Sequence, residues 1–191
     1  MQIIAGTAGG IHLEVPKGDK VRPTSGRTRT ALFNSLGSFD GCSVVDLFAG
    51  AGSLGLEAAS RGAQSVLLVE KDRRHAACIE RNIEKVVKGG CGAQCSVICA
   101  DVTRIIGSLA GRTGGADIVF ADPPYPVSEE MFSIVTSSEE FADFCSGRLV
   151  WEIPDHCDDK TLFLTPELWA VEAIRSFGRT EFIYYRPVKT G

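Results

Sequence analysis

Short apolar runs alternate along this chain with longer stretches in which apolar residues recur at helical spacing. From residue 43 onward, the runs predict five strands, at residues 43–47, 65–69, 94–100, 116–120 and 149–153. The stretches between them predict helices at residues 54–60, 72–88, 102–109 and around 129–141. Strands that alternate with helices predict an α/β fold in which a parallel sheet is covered on both faces.

The two ends of the chain depart from this alternation. Near the N-terminus, residues 2–5 and 11–15 are apolar runs that flank a glycine-rich turn, which predicts a β-hairpin, and a helix is predicted at 27–36. Near the C-terminus, residues 171–177 and 181–186 predict a closing hairpin, which would add an antiparallel strand at one edge of the sheet. We expect a single domain over 1–191, with residues 1–40 as an arm and 41–191 as the core.

Composition narrows the class of protein. The chain has 191 residues, of which 44% are apolar and 23% charged, and these globular proportions exclude disorder and fibres. Its seven cysteines are odd in number and include no CxxC pair, and its three histidines are scattered. No apolar stretch approaches the ~18 residues of a membrane span. We therefore expect a cytoplasmic protein with reduced thiols, no membrane contact and no metal.

The net charge of −4 argues at first against a nucleic-acid partner. The charge is unevenly distributed, however, because residues 1–30 and 175–191 each carry +3 and the chain between them carries −10. Two basic ends on an acidic body keep nucleic acid open as a partner.

A glycine loop follows the first predicted strand. Gly50, Gly52 and Gly55 form a GxGxxG pattern between a strand and a helix, where glycine permits a tight turn and a close ligand approach. Glu70 ends the next strand about 20 residues later, where a carboxylate can bind ribose hydroxyls. This context predicts an adenosine-containing cofactor, either a dinucleotide or S-adenosylmethionine.

Acidic residues at the same sheet edge bear on that choice. Asp46, Glu70, Asp101 and Asp122 fall at the carboxyl ends of four predicted strands, where open α/β sheets bind ligands. Four carboxylates would repel a pyrophosphate and suit a cationic cofactor. This pattern favours S-adenosylmethionine, although Asp101 could equally be a helix N-cap.

The fourth strand leads into Asp122, Pro123, Pro124 and Tyr125. The carboxylate of Asp122 and the carbonyl of Pro123 can accept both N–H bonds of a planar amino group, while Tyr125 stacks on the attached ring. Such acceptors favour a pyramidal nitrogen, whose lone pair is then free to attack a methyl group in line. The loop therefore predicts methyl transfer to an exocyclic amine.

Together these motifs resemble the class I S-adenosylmethionine-dependent amino-methyltransferases. Six segments resemble the bacterial family that methylates N2 of guanine 966 in 16S ribosomal RNA: residues 22–24 (RPT), 27–29 (RTR), 32–34 (LFN), 46–63 (DLFAGAGSLGLEAASRGA), 69–72 (VEKD) and 177–180 (FGRT). The resemblance covers nearly the whole chain. It implies a Rossmann-like, mostly parallel seven-stranded sheet with an antiparallel edge strand, preceded by a β-hairpin arm.

The resemblance also implies roles for individual residues. It implies that Asp46, Gly50 and Gly52 hold the methionine part of S-adenosylmethionine, that Glu70 and Lys71 lie at the ribose, and that Asp101 and Val102 lie at the adenine. It implies that Asp122, Pro123, Pro124 and Tyr125 hold the guanine. It implies that Arg22, Thr24, Arg27 and Arg29 face the RNA.

The same resemblance implies 16S rRNA or the assembling 30S subunit as the partner, S-adenosylhomocysteine as the product and a monomer as sufficient. The chain departs from the family at Gly9 and Ile11, where basic residues are usual, and at Thr30, where an acid is usual. Fewer hairpin charges should weaken RNA binding.

Three alternatives remain open. A DNA adenine-N6 or cytosine-N4 methyltransferase shares the chemistry, but a chain of 191 residues without a target-recognition domain disfavours it. A nucleotide-dependent oxidoreductase shares the glycine loop but not the acids. A non-catalytic RNA-binding module would not need every motif position filled.

Overall fold

The computed structural model describes residues 1–16, 25–154, 157 and 159–188. Its strands are β1 (Ser43–Asp46), β2 (Ser65–Glu70), β3 (Gln94–Cys99), β4 (Ala116–Ala121), β5 (Cys145–Ile153), β6 (Trp169–Phe177) and β7 (Thr180–Pro187). Its helices are α1 (Gly26–Leu36), α2 (Ser53–Ser60), α3 (Arg73–Lys88), α4 (Val102–Ile105), α5 (Ala110–Thr113), α6 (Ser128–Thr136), α7 (Glu139–Phe144) and α8 (Thr161–Leu164). Two 3-10 turns lie at Ile106–Ser108 and Tyr125–Val127.

The seven strands form one sheet in the order β3-β2-β1-β4-β5-β7-β6. Strands β1 to β5 pair in parallel, and β7 pairs antiparallel with both β5 and β6. The α/β class, the mostly parallel sheet and the antiparallel closing hairpin predicted from the sequence are confirmed. Within that hairpin, β7 is inserted between β5 and the edge strand β6.

Each face of the sheet carries its own apolar core. Val44, Phe120 and Val150 pack on the face covered by α1 to α3, whereas Val45 and Trp151 pack on the face covered by α4, α6 and α7. Because alternate side chains of a strand point to opposite faces, a strand buried on both sides is apolar nearly throughout. This explains the unbroken apolar runs in the sequence.

Two predicted helices are divided in the structure. The helix expected around 129–141 is two helices, because Ser138 adopts an extended conformation and its hydroxyl caps α7 by accepting from the Phe141 N–H at 3.2 Å. The helix expected at 102–109 is the short α4 followed by a 3-10 turn. The short α8 had no counterpart among the predicted elements.

The N-terminal segment, residues 1–16, has less β-bridge pairing than a regular two-stranded hairpin. It has one antiparallel bridge, Gln2 to His12, with flanking bonds that include Ile3 N–H to the Ile11 carbonyl at 2.9 Å. Ile3 and Leu13 are buried in the same core as α1 and α2. The hairpin pairing exists, and the described segment packs on the body of the protein through these two side chains.

Polar contacts hold this segment against α2. The Glu57 carboxylate is fully buried and accepts the N–H groups of Ile4 (2.7 Å) and Ala5 (3.1 Å), as well as Arg61 Nε (2.7 Å). Gly6 has φ +85°, and a Cβ there would stand 1.8 Å from the Ser60 carbonyl oxygen, so this close approach requires glycine.

Asn82 on α3 holds the end of the segment. Its side-chain oxygen accepts the Glu14 N–H at 2.7 Å, and its Nδ2 donates to the carbonyls of Glu14 and Ala51, both at 3.0 Å. The Glu14 carboxylate pairs with Arg81 and Lys85, whose hydrogen bonds lower its pKa to about 2. The N-terminal segment is thus tied both to α3 and, through Asn82, to the glycine loop.

Candidate active site

A cleft of about 680 Å³ opens at the carboxyl ends of β1, β2, β4 and β5. Six acids line it: Asp46, Glu70, Asp72, Asp101, Asp122 and Glu152. Such an edge is where open α/β sheets bind ligands. The structure therefore brings together the four acids singled out in the sequence and adds two more, Asp72 and Glu152.

The glycine loop forms the floor between β1 and α2. Gly50 and Gly52 have φ values of +57° and +83°, a region that favours glycine. A Cβ on Gly55 would lie 3.0 Å from the Leu68 side chain, so glycine lets α2 pack closely on β2. Gly50 lines the cleft, whereas Gly52 supports the turn, with its own N–H bonded to the Ala49 carbonyl at 2.6 Å.

Asp46 is the buried charge of the site. The residue is 1% exposed, and its Oδ2 accepts the Gly55 N–H at 3.0 Å, while Oδ1 has no hydrogen-bond partner among the described residues. Burial first, and then the nearby Asp122 and Glu70 carboxylates, raise the pKa of Asp46 to about 7, against the hydrogen bond from Gly55. A cationic N–H donor in the cleft would satisfy this carboxylate.

Glu70 is held by backbone groups. Its Oε2 accepts the Gly50 N–H and its Oε1 accepts the Asp72 N–H, each at 2.8 Å. Because each carboxylate oxygen has two lone pairs, both can also accept a ligand hydroxyl. Lys71 lines the cleft beside it.

Asp101 caps a helix, as one of the two interpretations of the sequence held. Its Oδ1 accepts the Thr103 N–H at 3.0 Å and the Thr103 hydroxyl at 2.8 Å, and these bonds lower its pKa. Asp101 nevertheless lines the cleft, as does the buried Val102. Capping and ligand contact are compatible, since the cap uses one of the two carboxylate oxygens.

Residues 122–125 continue directly from β4 into the cleft. The Phe120 carbonyl accepts the Leu47 N–H at 3.0 Å, which fixes the end of β4 against the end of β1. Pro124 accepts the Val127 N–H at 3.0 Å and so starts the 3-10 turn that carries Tyr125. Asp122, Pro123, Pro124 and Tyr125 all line the cleft that Asp46 enters from β1.

The four residues expected to face RNA have different positions. Arg27 is exposed on the first turn of α1, while Arg22 and Thr24 lie outside the described residues. Arg29 is 3% exposed and donates from Nη2 to the Gln2 carbonyl at 2.7 Å, and burial lowers its pKa.

The expectation for Arg29 therefore needs correction. Its Nε and Nη1 are buried without a partner in the described part of the chain, and the side chain faces the N-terminal segment instead of solvent. The helical period explains this, because Arg29 shares the inward face of α1 with Leu32, Phe33 and Leu36. Arg29 therefore lies away from the surface that an RNA could reach.

Sequence reasoning missed Glu152 and several other residues of the cleft. Glu152 is 6% exposed and is an acid inside the apolar run of β5. That interruption of an apolar strand was the available signal. Other lining residues without an expected role include Met1, Phe48, Ser53, Arg74, His75 and Met131.

Among the described residues there is neither a group of metal ligands nor a membrane-spanning helix. Within the described ranges, no three His, Cys, Asp or Glu side chains gather into a group that could hold a metal ion. None of the helices in that same part of the chain has the length and hydropathy needed to cross a bilayer.

The strand order, the glycine loop after β1 and the acid-lined cleft define a fold of the class I methyltransferase type. The family model described as "Conserved hypothetical protein 95" matches residues 1–186, and the chain belongs to this family. The match confirms the family expected from the sequence, because the relatives of this chain include Ribosomal RNA small subunit methyltransferase D of Escherichia coli (strain K12). That protein is 33% identical over 194 residues, which cover 97% of this chain and 89% of that protein.

Other comparisons agree. The Bacillus subtilis (strain 168) protein YlbH is 33% identical over 142 residues, which cover 74% of this chain and 75% of that protein. The solved structure of the Escherichia coli protein yhhF aligns with a TM-score of 0.75 at 25% identity, over 98% of this chain and 97% of that chain.

Proposed function

We propose that this protein transfers a methyl group from S-adenosylmethionine to the exocyclic N2 of a guanine in 16S rRNA, at the position-966 site. The observation that carries this proposal is that residues 122–125 line the same cleft as the buried carboxylate of Asp46. The relatives named Ribosomal RNA small subunit methyltransferase D support ribosomal RNA as the substrate.

The residues of the cleft fit the cofactor. Asp46 Oδ1, which has no partner among the described residues, would accept a hydrogen bond from the ammonium in the methionine part of S-adenosylmethionine, next to Gly50. Glu70, oriented by two backbone N–H groups, would accept from the ribose hydroxyls, and Asp101 and Val102 would flank the adenine. When bound, S-adenosylmethionine supplies an electrophilic methyl group on a sulfonium and leaves as S-adenosylhomocysteine.

The loop after β4 would prepare the amine. Asp122 and the Pro123 carbonyl would accept its two N–H bonds, while Pro124 fixes the backbone and Tyr125 stacks on the base. This holds the nitrogen in position and favours the pyramidal geometry that frees its lone pair. Asp122 would then accept the proton that N2 releases once it carries the methyl group.

RNA would be held by the basic ends of the chain. Arg27 is exposed at the start of α1, and Arg22 and Thr24 precede it in the sequence. We propose that a monomer acts on naked 16S rRNA or on an assembling 30S subunit in the cytoplasm. Phosphate contacts of this kind set affinity and register, while the cleft chooses the base.

Mass mapping tests the reaction. Small-subunit rRNA from a strain lacking this gene should lack one methyl group on a guanine, and the gene should restore it. Methylation of adenine or cytosine by the purified protein would instead support a different amino-methyltransferase. Unaltered rRNA in the deletion strain would contradict the proposal.

Thermal unfolding tests the cofactor separately. S-adenosylhomocysteine at about 100 times its Kd should stabilise the protein by about 2.7 kcal/mol, and NAD should not. A shift with NAD alone would contradict the proposed cofactor and favour an oxidoreductase.

A further inference from the structure

Glu152 is a buried acid in the cleft to which none of the roles above applies. It is 6% exposed, and it lines the cleft together with residues 122–125. Burial of a carboxylate is costly unless hydrogen bonds compensate for lost hydration. Glu152 interrupts the apolar run 149–153 of β5 at the rim of the cleft, which points to a role in the cleft.

The strand register places Glu152 beside Asp122. The last paired residues of β4 and β5 are Ala121 and Trp151, so the next residues along the two parallel strands are Asp122 and Glu152. Neighbouring strands lie about 4.8 Å apart. Phe120 and Val150, two residues earlier, belong to one face of the sheet, and the alternation puts Asp122 and Glu152 on that same side.

The bases differ in what lies next to their exocyclic amine. The amine of adenine is flanked by N1 and that of cytosine by N3, both bare acceptors. The amine of guanine lies between N3, also a bare acceptor, and N1–H, so guanine alone has a donor on one side of its amine. A second carboxylate beside the amine-binding one therefore matches guanine and repels the other two.

We infer that Glu152 is a specificity-determining residue that accepts the N1–H of the target guanine, while Asp122 and the Pro123 carbonyl accept the N2–H bonds. This inference rests on the proposed function and goes beyond it by assigning the choice of base to β5. The three N–H donors on this edge of guanine meet three acceptors at the ends of two adjacent strands. An acidic acceptor at this place discriminates between bases, because a base with a lone pair in place of the N–H repels the carboxylate instead of donating to it.

The test uses an RNA hairpin spanning the target, with either guanine or 2-aminopurine at the methylated position. 2-Aminopurine keeps the exocyclic amine but has a bare acceptor at N1. The wild-type protein should prefer guanine by roughly 10- to 100-fold in kcat/KM, the range expected for a hydrogen bond to a charged group. In Glu152→Gln, the side-chain amide can donate to the bare N1, so the preference should fall about tenfold or more.

The ratio of the two substrates separates specificity from stability. A purely structural role would lower both rates equally and leave the ratio unchanged, which would overturn the inference, as would a wild-type protein indifferent to the two bases. Glu84→Gln, an exposed acid on α3, is the matched control and should keep the wild-type ratio. If the wild-type protein methylates neither the guanine hairpin nor the 16S rRNA of assembling 30S particles, that result would instead contradict the proposed function itself.

Discussion

Two buried carboxylates, Glu57 on α2 and Asp46 at the end of β1, have very different surroundings. Glu57, beneath the N-terminal segment, is fully buried and accepts two backbone N–H groups and Arg61 Nε. Asp46, at the cleft, is 1% exposed and accepts one bond at Oδ2, while its Oδ1 has no partner within the described residues. A buried acid that serves packing is saturated with donors, whereas one that awaits a ligand is not.

The comparison separates residues that hold the fold from residues that act on a ligand. The first kind should affect the free energy of unfolding and the second kind binding or turnover. The following substitutions test that division, beginning with the largest expected effect.

Asp122→Ala should lower methyl transfer about 10³-fold or more, because the amine loses the acceptor that positions it and takes its proton. Binding of S-adenosylhomocysteine, measured by calorimetry, should persist, and the melting temperature should change little. Turnover near the wild-type level would show that the amine is not held by Asp122.

Glu57→Ala should lower the free energy of unfolding by about 3–5 kcal/mol, since it leaves Arg61 and two N–H groups of the N-terminal segment without their acceptor. Urea unfolding measures this loss. A stable variant that fails to bind S-adenosylhomocysteine would contradict the division drawn between the two acids.

Asp46→Asn provides the opposite case. The amide keeps an oxygen for the Gly55 N–H but removes the buried charge, so the free energy of unfolding should stay equal or rise. Affinity for S-adenosylhomocysteine should fall roughly 10- to 100-fold, because the ligand ammonium loses a charged acceptor. A loss of several kcal/mol in unfolding would indicate that Asp46 belongs to the structural class.

The pH dependence of Asp46 follows from its burial. Its pKa in the folded protein is about 7, above the unfolded value of 3.8, so the folded state holds a proton that the unfolded state has released. The contribution to stability is complete below about pH 4 and is lost as the pH rises through about 7. Affinity for S-adenosylhomocysteine, whose ammonium would pair with the ionised carboxylate, should change in the opposite direction and reach a plateau above about pH 7.

Unfolding and binding titrations from pH 5 to 8.5 measure both trends. Asp46→Asn should flatten both of them. A wild-type affinity that is constant across this range would show that Asp46 is ionised throughout or does not contact the ligand.

The comparison also explains what the sequence could predict. The glycine loop and residues 122–125 were visible, because each motif is continuous in sequence and lies at the end of an apolar run. Glu57 and Asn82 were not singled out, since the backbone groups that they bind lie 31 to 68 residues away along the chain. Local pattern predicts elements and the sheet edge, but tertiary hydrogen bonds depend on which segments meet.

Arg27 and Arg29 illustrate that limit. The effect expected for Arg27→Ala on RNA binding is also the smallest among these substitutions. Both are basic residues of one segment, yet Arg27 is exposed and Arg29 is buried against Gln2. Arg27→Ala should weaken RNA binding a few-fold at low salt and less at high salt, because one lost phosphate contact lowers the slope of log K against log salt by about 0.7–0.9.

Arg29→Ala is the matched control. It should leave that slope unchanged and lower the free energy of unfolding, because it removes the bond to the Gln2 carbonyl and the packing of the buried side-chain stem against α1 and the N-terminal segment. Filter binding of the RNA across salt concentrations, beside urea unfolding, measures the pair. A reduced salt slope in Arg29→Ala with intact stability would mean that this side chain leaves the interior to contact phosphate, and would reverse the correction drawn from its burial.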